Sequence, residues 1–303
     1  MSRLYTEIDW YDTPLYYDII FDADTTIEAD FLEAACERYG PAPAGEKKAG
    51  RRRVLEPACG SGRLVLEMAA RGWQVTGVDL SKPMLEYARN RLRKPPVRAP
   101  RLSRAALEKQ VTLKQANMAD FRVAGDFDLA HCLVSSFKYL ASEADARSHL
   151  ECVARALKAD GIYVLGLHLS EYEDRRTSRE RWAGERDGVH VTCVIEGWPP
   201  ETRKRQERVR SRLTVRPADD TGRNPGAKKK SAAKANKQPG AATILRNETN
   251  WTFRTYDDRQ LQRLIRSVPE LELVAVHDFS YRLDRLHTLD DEQLDTVLIL
   301  RRR

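Results

Sequence analysis

Two carboxylates stand on either side of a run of very small side chains. Glu56 follows the apolar pair Val54 and Leu55, and Ala58, Cys59, Gly60, Ser61 and Gly62 come just after it. Asp79 lies seventeen residues beyond Gly62, closing the run Gln74-Val75-Thr76-Gly77-Val78. A corner of small residues lets backbone N–H groups come close to a ligand at the positive end of a helix. A carboxylate at the end of the next strand can accept hydrogen bonds from both hydroxyls of a ribose. The chemistry this implies is the seating of a nucleoside-containing cofactor across the ends of two parallel strands.

Other glycine-rich loops fit less well. A dinucleotide fingerprint begun at Gly60 puts Val65 where its third glycine belongs, and Glu56 is no part of that pattern. No Lys-Ser or Lys-Thr follows the glycines, which excludes a Walker loop.

The elements that must position these residues follow from periodicity. Strands are expected at 53–57, 74–79, 111–116, 127–133 and 162–168, the last entered through an Asp160-Gly161 turn. Helices are expected at 62–71, after Ser81 with Pro83 in the first turn, and after Ser142. Residues 93–109, with three prolines, read as a surface excursion. Alternating strands and helices predict a parallel, doubly wound α/β sheet with ligands at the carboxyl ends of its strands. Beyond residue 169 the period changes to two, at 189–195, 208–215 and 251–255, which predicts an inserted antiparallel meander. The alternating Arg208, Arg210 and Arg212 form either a nucleic-acid stripe or a solvated strand face. Asp257 starts a final helix, and strands follow at 271–279 and 295–300. At the N-terminus Tyr5, Trp10, Tyr11, Tyr16, Tyr17 and Phe21 form either a lid over a cofactor or a segment docked by its aromatics. Thr25 and Glu28 read as a capping box, and 40–52 as a linker.

Composition sets further bounds. The chain has 303 residues, 41% of them hydrophobic, enough for an α/β domain with an added subdomain. It has no 18-residue apolar run, and its acidic, aromatic start does not suit a leader peptide. Five cysteines with no Cys-x-x-Cys pair suit a reduced cytoplasm, with Cys36, Cys132, Cys152 and Cys193 as buried small hydrophobes. The net charge of +7 is local: residues 222–240 carry six basic side chains and no acid, leaving +1 for the rest. Such a segment cannot bury a core and is expected to be a disordered loop.

The stretch EPACGSG (56–62), with VTGVDLS (75–81) as its ribose motif, resembles motif I of the class I S-adenosylmethionine-dependent methyltransferases. Residues 54–140 further resemble the small-molecule N-methyltransferases of the glycine and sarcosine type, through EPACGSG, QANM (115–118) and FDLAHCLVSSFKYL (127–140). The resemblance implies a Rossmann-like, seven-stranded sheet with its last strand antiparallel, and S-adenosylmethionine as cofactor. It implies that Glu56 orients the cofactor's amino group, that Ala58, Gly60 and Gly62 give close backbone approach, and that Asp79 holds the ribose. Leu80 and Met118 would sandwich the adenine, with Asn117 near it and the Leu133 carbonyl on the amino acid part. Tyr17 would be the lid tyrosine, and Cys59 and Met84 complete the cofactor set. Domain boundaries are expected at 1–50 (lid and helix), 51–169 (core), 170–256 (insert, with the lysine-rich loop at 219–241) and 257–303 (closing helix and strands).

The acceptor is less constrained. The glycine enzymes hold a carboxylate with an arginine past strand 5 and an asparagine after strand 4, positions that are Leu169 and Ser135 here. Without a guanidinium a carboxylate loses its bidentate partner, which argues against glycine. A small-molecule amine is expected, with neither membrane nor nucleic acid as partner and the oligomeric state open. LVSSF replaces the Asp/Asn-Pro-Pro-aromatic loop of adenine-N6 DNA methyltransferases, and this argues against a flipped base. Methyl transfer is in-line displacement, so orientation supplies most of the protein's contribution. His168, at the end of strand 5, is the candidate to take an amine proton, beside a purely structural role; no metal is expected. His131, inside strand 4, is read as a core residue or one that supports the site from behind. Rival readings are a methyltransferase recruited to RNA or protein by the basic loop, a non-catalytic cofactor-binding module, and a nicotinamide oxidoreductase.

Overall fold

The protein is described from a computed structural model covering residues 4–42, 51–93, 103–218 and 244–303. The chain begins with a short strand, β1 (Thr6–Glu7), and a 3-10 turn at Trp10–Asp12, which lead into α1 (Pro14–Phe21). A second 3-10 turn, Asp22–Asp24, runs straight into α2 (Thr25–Tyr39). Thr25 is therefore inside the helix and does not cap it; its hydroxyl bonds Asp22 Oδ1 at 3.3 Å. The turn before α2 already satisfies the first N–H groups, so the expected capping box does not form.

The core follows as β2 (Arg53–Pro57), α3 (Arg63–Ala70), β3 (Gln74–Asp79) and α4 (Lys82–Leu92). Next come α5 (Arg104–Gln110), β4 (Val111–Gln115), β5 (Phe127–Cys132), α6 (Glu143–Ala156) and β6 (Leu157–His168). Helix α5 falls in the 93–109 stretch read as a surface excursion and ties its second half to the core: Ser103 caps it through the Ala106 N–H, and Leu107 is fully buried. Ser81 caps α4 and Ser142 caps α6 as expected. Strand β6 starts earlier than expected and carries Asp160 within it at φ +60°, so Asp160-Gly161 is an irregularity of the strand, not a turn before it.

Four strands follow β6: β7 (Ser178–Arg186), β8 (Val189–Gly197), β9 (Gln206–Pro217) and β10 (Leu245–Arg254). The chain closes with α7 (Asp258–Arg266), β11 (Leu271–His277) and β12 (Asp295–Arg302). Asp257 and Gln260 form a complete capping box at α7.

Two sheets result. The larger runs in the order β11-β12-β6-β5-β2-β3-β4, with β2 to β6 parallel and β12 antiparallel to both its neighbours. This is the Rossmann-like seven-stranded arrangement the sequence implied. Buried residues on its two faces form two apolar clusters, one around Leu55, Phe127 and Tyr163, the other around Leu32, Val65 and Ile299. The smaller sheet, β1-β10-β9-β8-β7, is antiparallel apart from β1, which comes from the N-terminal segment and pairs parallel with β10. Helix α1 packs on it through Ile19 against Val191, Cys193 and Leu213. The aromatic N-terminal segment is thus docked on the inserted sheet. Gly184 of β7 makes room for it, since a Cβ there would sit 2.6 Å from the Ile19 carbonyl oxygen.

The arginine face of β9 is paired. Arg210 bonds Glu196 at 2.5 Å, Arg212 bonds Glu248 at 2.6 Å, and Arg208 lies over the Trp198 ring. These contacts favour the solvated strand face over a nucleic-acid stripe. All five cysteines are buried thiols. The lysine-rich segment and most of the 40–52 linker lie outside the described residues. Among the described residues no helix is long and apolar enough to cross a membrane, and no cluster of metal-ligating side chains occurs.

Candidate cofactor and acceptor site

The corner after β2 is built as the small residues require. Ala58 (φ +56°), Gly60 (φ +50°) and Gly62 (φ +73°) all occupy left-handed backbone conformations. Gly62 is the residue before α3, and a Cβ there would lie 2.8 Å from the Ala88 methyl, so its smallness lets α3 and α4 meet. Gly60 faces the ring of Tyr17, which a Cβ would touch at 3.6 Å.

Asp79 closes the corner from β3. Its Oδ2 accepts from the Gly60 N–H at 2.7 Å and its Oδ1 from the Ser81 N–H at 2.8 Å. Burial raises its pKa, and those backbone donors work against the rise. The corner, Asp79 and the start of α4 are therefore one hydrogen-bonded unit. Leu80, 65% exposed, follows directly, and the Gln115 side chain bonds its carbonyl at 3.1 Å. Asn117 turns the chain by accepting from the Ala119 N–H at 2.9 Å, and the Met118 carbonyl is held by His149 Nδ1 at 2.8 Å. Leu80, Asn117 and Met118 thus gather at the carboxyl ends of β3 and β4.

Tyr17, Glu56, Ala58, Cys59 and Leu133 line a cleft on the other side of the corner. Met84 does not join them: it is fully buried and lines neither this cleft nor the larger cavity. Glu56 is 7% exposed, and its Oε2 has no hydrogen-bond partner. Burial pushes its carboxyl well above the usual range, opposed by nearby Arg63. A desolvated carboxyl with an open oxygen is a seat for a cation such as the amino group of S-adenosylmethionine, so the residues here fit that cofactor.

The cleft is closed. Its volume is about 20 Å³, against roughly 300–1,000 Å³ for ordinary small-ligand pockets. Tyr17 covers it, and α1 is held down by a residue that no motif marked. Asp18 is completely buried and accepts from Ser61 Oγ at 2.6 Å, Tyr87 OH at 3.1 Å and Arg186 at 2.5 Å, with Arg91 also bonded. Its partners come from the glycine corner, α4 and β7. Arg63 was also missed. It lines the cleft, bonds Thr25 Oγ1 at 3.2 Å and pairs with buried Glu28, to which Tyr281 OH donates at 3.3 Å.

A cavity of about 880 Å³ lies between the two sheets and shares Tyr17, Arg63, Val134 and Ser136 with the cleft. Val134 (φ +56°) and Ser135 (φ +60°) both adopt left-handed conformations just beyond β5. For a β-branched residue this is costly, and such strain gathers where a chain is held for function. Ser135 Oγ accepts from the His168 N–H at 3.2 Å. His168 lines the cavity, and its Nδ1 lies 2.5 Å from Asp295 Oδ1 at the start of β12. That hydrogen bond holds the Asp295 carboxyl below its ordinary range. An ionised Asp295 can only accept, so Nδ1 carries the hydrogen, and in the neutral ring Nε2 is the nitrogen with the lone pair. His131, by contrast, is fully buried with neither ring nitrogen bonded, and burial lowers its pKa to about 3. It is a core residue, as read. Leu169 is buried beside His168 on the cavity wall, and no arginine stands at its position.

Known proteins resemble this chain in sequence and in fold. Residues 54–161 match the family model described as a methyltransferase domain. A putative methyltransferase of a Geobacillus species is 29% identical over 161 residues, 52% of this chain and 55% of that protein. A dTDP-3-amino-3,6-dideoxy-alpha-D-glucopyranose N,N-dimethyltransferase from Streptomyces fradiae is 28% identical over 152 residues, 49% of this chain and 50% of that one. Rabbit glycine N-methyltransferase is 31% identical over 126 residues, 38% of this chain and 40% of that one. The chain therefore spans about half the length of the curated relatives it matches. In fold, the sugar N-methyltransferase KedS8 from a Streptoalloteichus species superposes with a TM-score of 0.62 at 17% identity, covering 100% of this chain and 97% of that one.

Proposed function

We propose that this chain, which carries a class I S-adenosylmethionine-dependent methyltransferase domain, methylates the nitrogen of a small-molecule amine. The observation that carries the reading is the junction of cleft and cavity. The glycine corner opens, through Tyr17, Arg63, Val134 and Ser136, onto a chamber that has a histidine with an open nitrogen on its wall. Among the relatives whose names state the acceptor atom, three name nitrogen and one, a ubiquinone biosynthesis O-methyltransferase, names oxygen, a balance that supports amine over hydroxyl.

The cofactor of this domain is S-adenosylmethionine, which supplies a methyl group already activated on a sulfonium. The chain's own contribution is orientation and charge. Glu56 holds the cofactor's amino group, and Asp79, already fixed by the Gly60 and Ser81 N–H groups, takes the ribose. Leu80, Asn117 and Met118 take the adenine, and Leu133 lies along the methionyl part. Tyr17 closes the cleft against water. Holding donor and acceptor in line is worth roughly 7–11 kcal/mol of the barrier. His168 Nε2 accepts the proton that the amine must lose, and Asp295 keeps the ring in the tautomer that can do so.

Mass spectrometry of the purified protein for bound S-adenosylmethionine or S-adenosylhomocysteine, followed by label transfer from the methyl donor to a panel of amines, alcohols and carboxylic acids, tests the proposal. Label on amines is expected. Label on alcohols or acids alone would overturn the choice of nitrogen.

A further inference from the structure

We infer that the acceptor is a ring-bearing amine that is cationic and free of phosphate. The inference rests on the methyltransferase reading and deepens it by naming the substrate class. Three features of the cavity carry it: size, ring faces and charge.

At about 880 Å³ the cavity lies near the top of the range for small-molecule sites, far more than a compact amino acid needs. Its wall on β10 is aromatic. Trp251 and Phe253 lie nearly parallel, with ring centres 6.3 Å apart, and Tyr139 meets Phe253 edge-on at 4.7 Å. Trp182 and Trp198 line it from β7 and from just beyond β8. Such faces receive the flat side of a ring and attract a cation held above them.

Charge decides between amines of similar size. Seven carboxylates line the cavity against four cations. Three of those cations are already engaged by carboxylates of the same lining: Arg63 by Glu28, Lys138 by Glu207 at 2.5 Å, and Arg176 by Asp174 at 2.9 Å. Among the described residues only Arg181 remains as a lining cation without an ion pair. On the other side Asp24, Glu171 and Glu180 are carboxylates with no cation bonded to them among the described residues, and Asp295 faces His168. A diphosphate is held by arginines or lysines free to give their donors to it. Here it would meet one such group and a surplus of like charge. A protonated amine meets the opposite, a field that draws it in and a histidine able to take its proton. The cavity therefore selects an amino group on a ring system, such as an amino sugar already joined to an aglycone, over the same amino sugar activated as a nucleotide diphosphate.

One amino sugar presented in two forms tests this, as its p-nitrophenyl glycoside and as its dTDP ester, with dTDP alone as a third probe. The full chain is first titrated with S-adenosylhomocysteine, and each probe is then titrated into the saturated protein by calorimetry. The glycoside is expected to bind at least tenfold tighter than the dTDP ester, with an affinity that falls as salt rises, while dTDP alone shows no binding. The double substitution Glu171→Gln and Glu180→Gln, both at exposed positions and so compatible with folding, is expected to weaken the glycoside several-fold and leave S-adenosylhomocysteine binding unchanged. Equal or tighter binding of the dTDP ester would overturn the inference, and so would binding of S-adenosylhomocysteine with neither sugar bound. Absence of S-adenosylhomocysteine binding would instead overturn the methyltransferase reading beneath it.

Discussion

Asp18→Asn should unlatch the N-terminal helix. The substitution preserves shape and removes the one charge that Arg91 and Arg186 share at a fully buried point. Removing one partner of a buried pair costs about 3–5 kcal/mol. Both arginines keep a weaker contact with half-exposed Asp22, at 3.6 and 3.3 Å, which places the loss nearer 2–3 kcal/mol. Helix α1 must leave the corner before a cofactor can enter a cleft of about 20 Å³. Destabilising its docked position by 2–3 kcal/mol raises the open fraction, and with it the association rate, by roughly 30- to 150-fold. The same latch closes over the bound cofactor, so the dissociation rate rises with it and the equilibrium affinity changes much less. Stopped-flow tryptophan fluorescence reads this directly, because Trp10 lies 5.3 Å from the Tyr17 ring and 4.8 Å from Trp251. Asp22→Asn, at a more exposed site, should give a smaller effect in the same direction. A folded Asp18→Asn protein with unchanged association and dissociation rates would show that α1 is not the gate.

Three further outcomes are expected. Because burial raises the pKa of the Glu56 carboxyl and a bound cation favours its ionised form, S-adenosylhomocysteine affinity should weaken as pH falls, measured by calorimetry over a pH series. Glu56→Gln should flatten that dependence and weaken binding at least tenfold. His168→Ala should lower kcat by about 100-fold with cofactor affinity intact. Asp295→Asn, which takes away the carboxylate that orients the ring through Nδ1, should lower kcat by less than His168→Ala does and leave cofactor affinity intact. Burial lowers the pKa of His131 to about 3 and that of His149 to about 4. The unfolded chain therefore binds protons that the folded one refuses, and stability is full above about pH 6.5 and falls as pH drops. By pH 4.5 the loss should be about 5 kcal/mol, at about 1.4 kcal/mol per unit, measured by urea unfolding at pH 7 and pH 4.5. His131→Leu should flatten that slope.

The core was legible because its strands and helices keep clean periods and carry local stop and start chemistry. Ser81, Ser142 and Asp257 cap through bonds three residues away, which sequence alone can show. Strand β7 was not legible: SRERWAGER has few apolar residues, because it is an edge strand largely open to solvent. Thr25 failed as a cap because the turn before it was unseen. The corner residues Glu56, Gly60 and Asp79 could be read from one short stretch and its neighbour. Asp18, Arg63 and Asp295 could not, since their partners lie 43, 35 and 127 residues away. No local spacing records a contact between elements so far apart in the chain.

The N-terminal segment roofs two compartments: Tyr17 of α1 covers the cleft beside the glycine corner, while Tyr17 and, from the preceding 3-10 turn, Trp10 and Tyr11 wall the larger cavity. A lift of that roof exposes both compartments at once. On the proposed reading, exchange of spent donor would therefore release the acceptor too, and a time course of a double methylation should show the singly methylated product free in solution first.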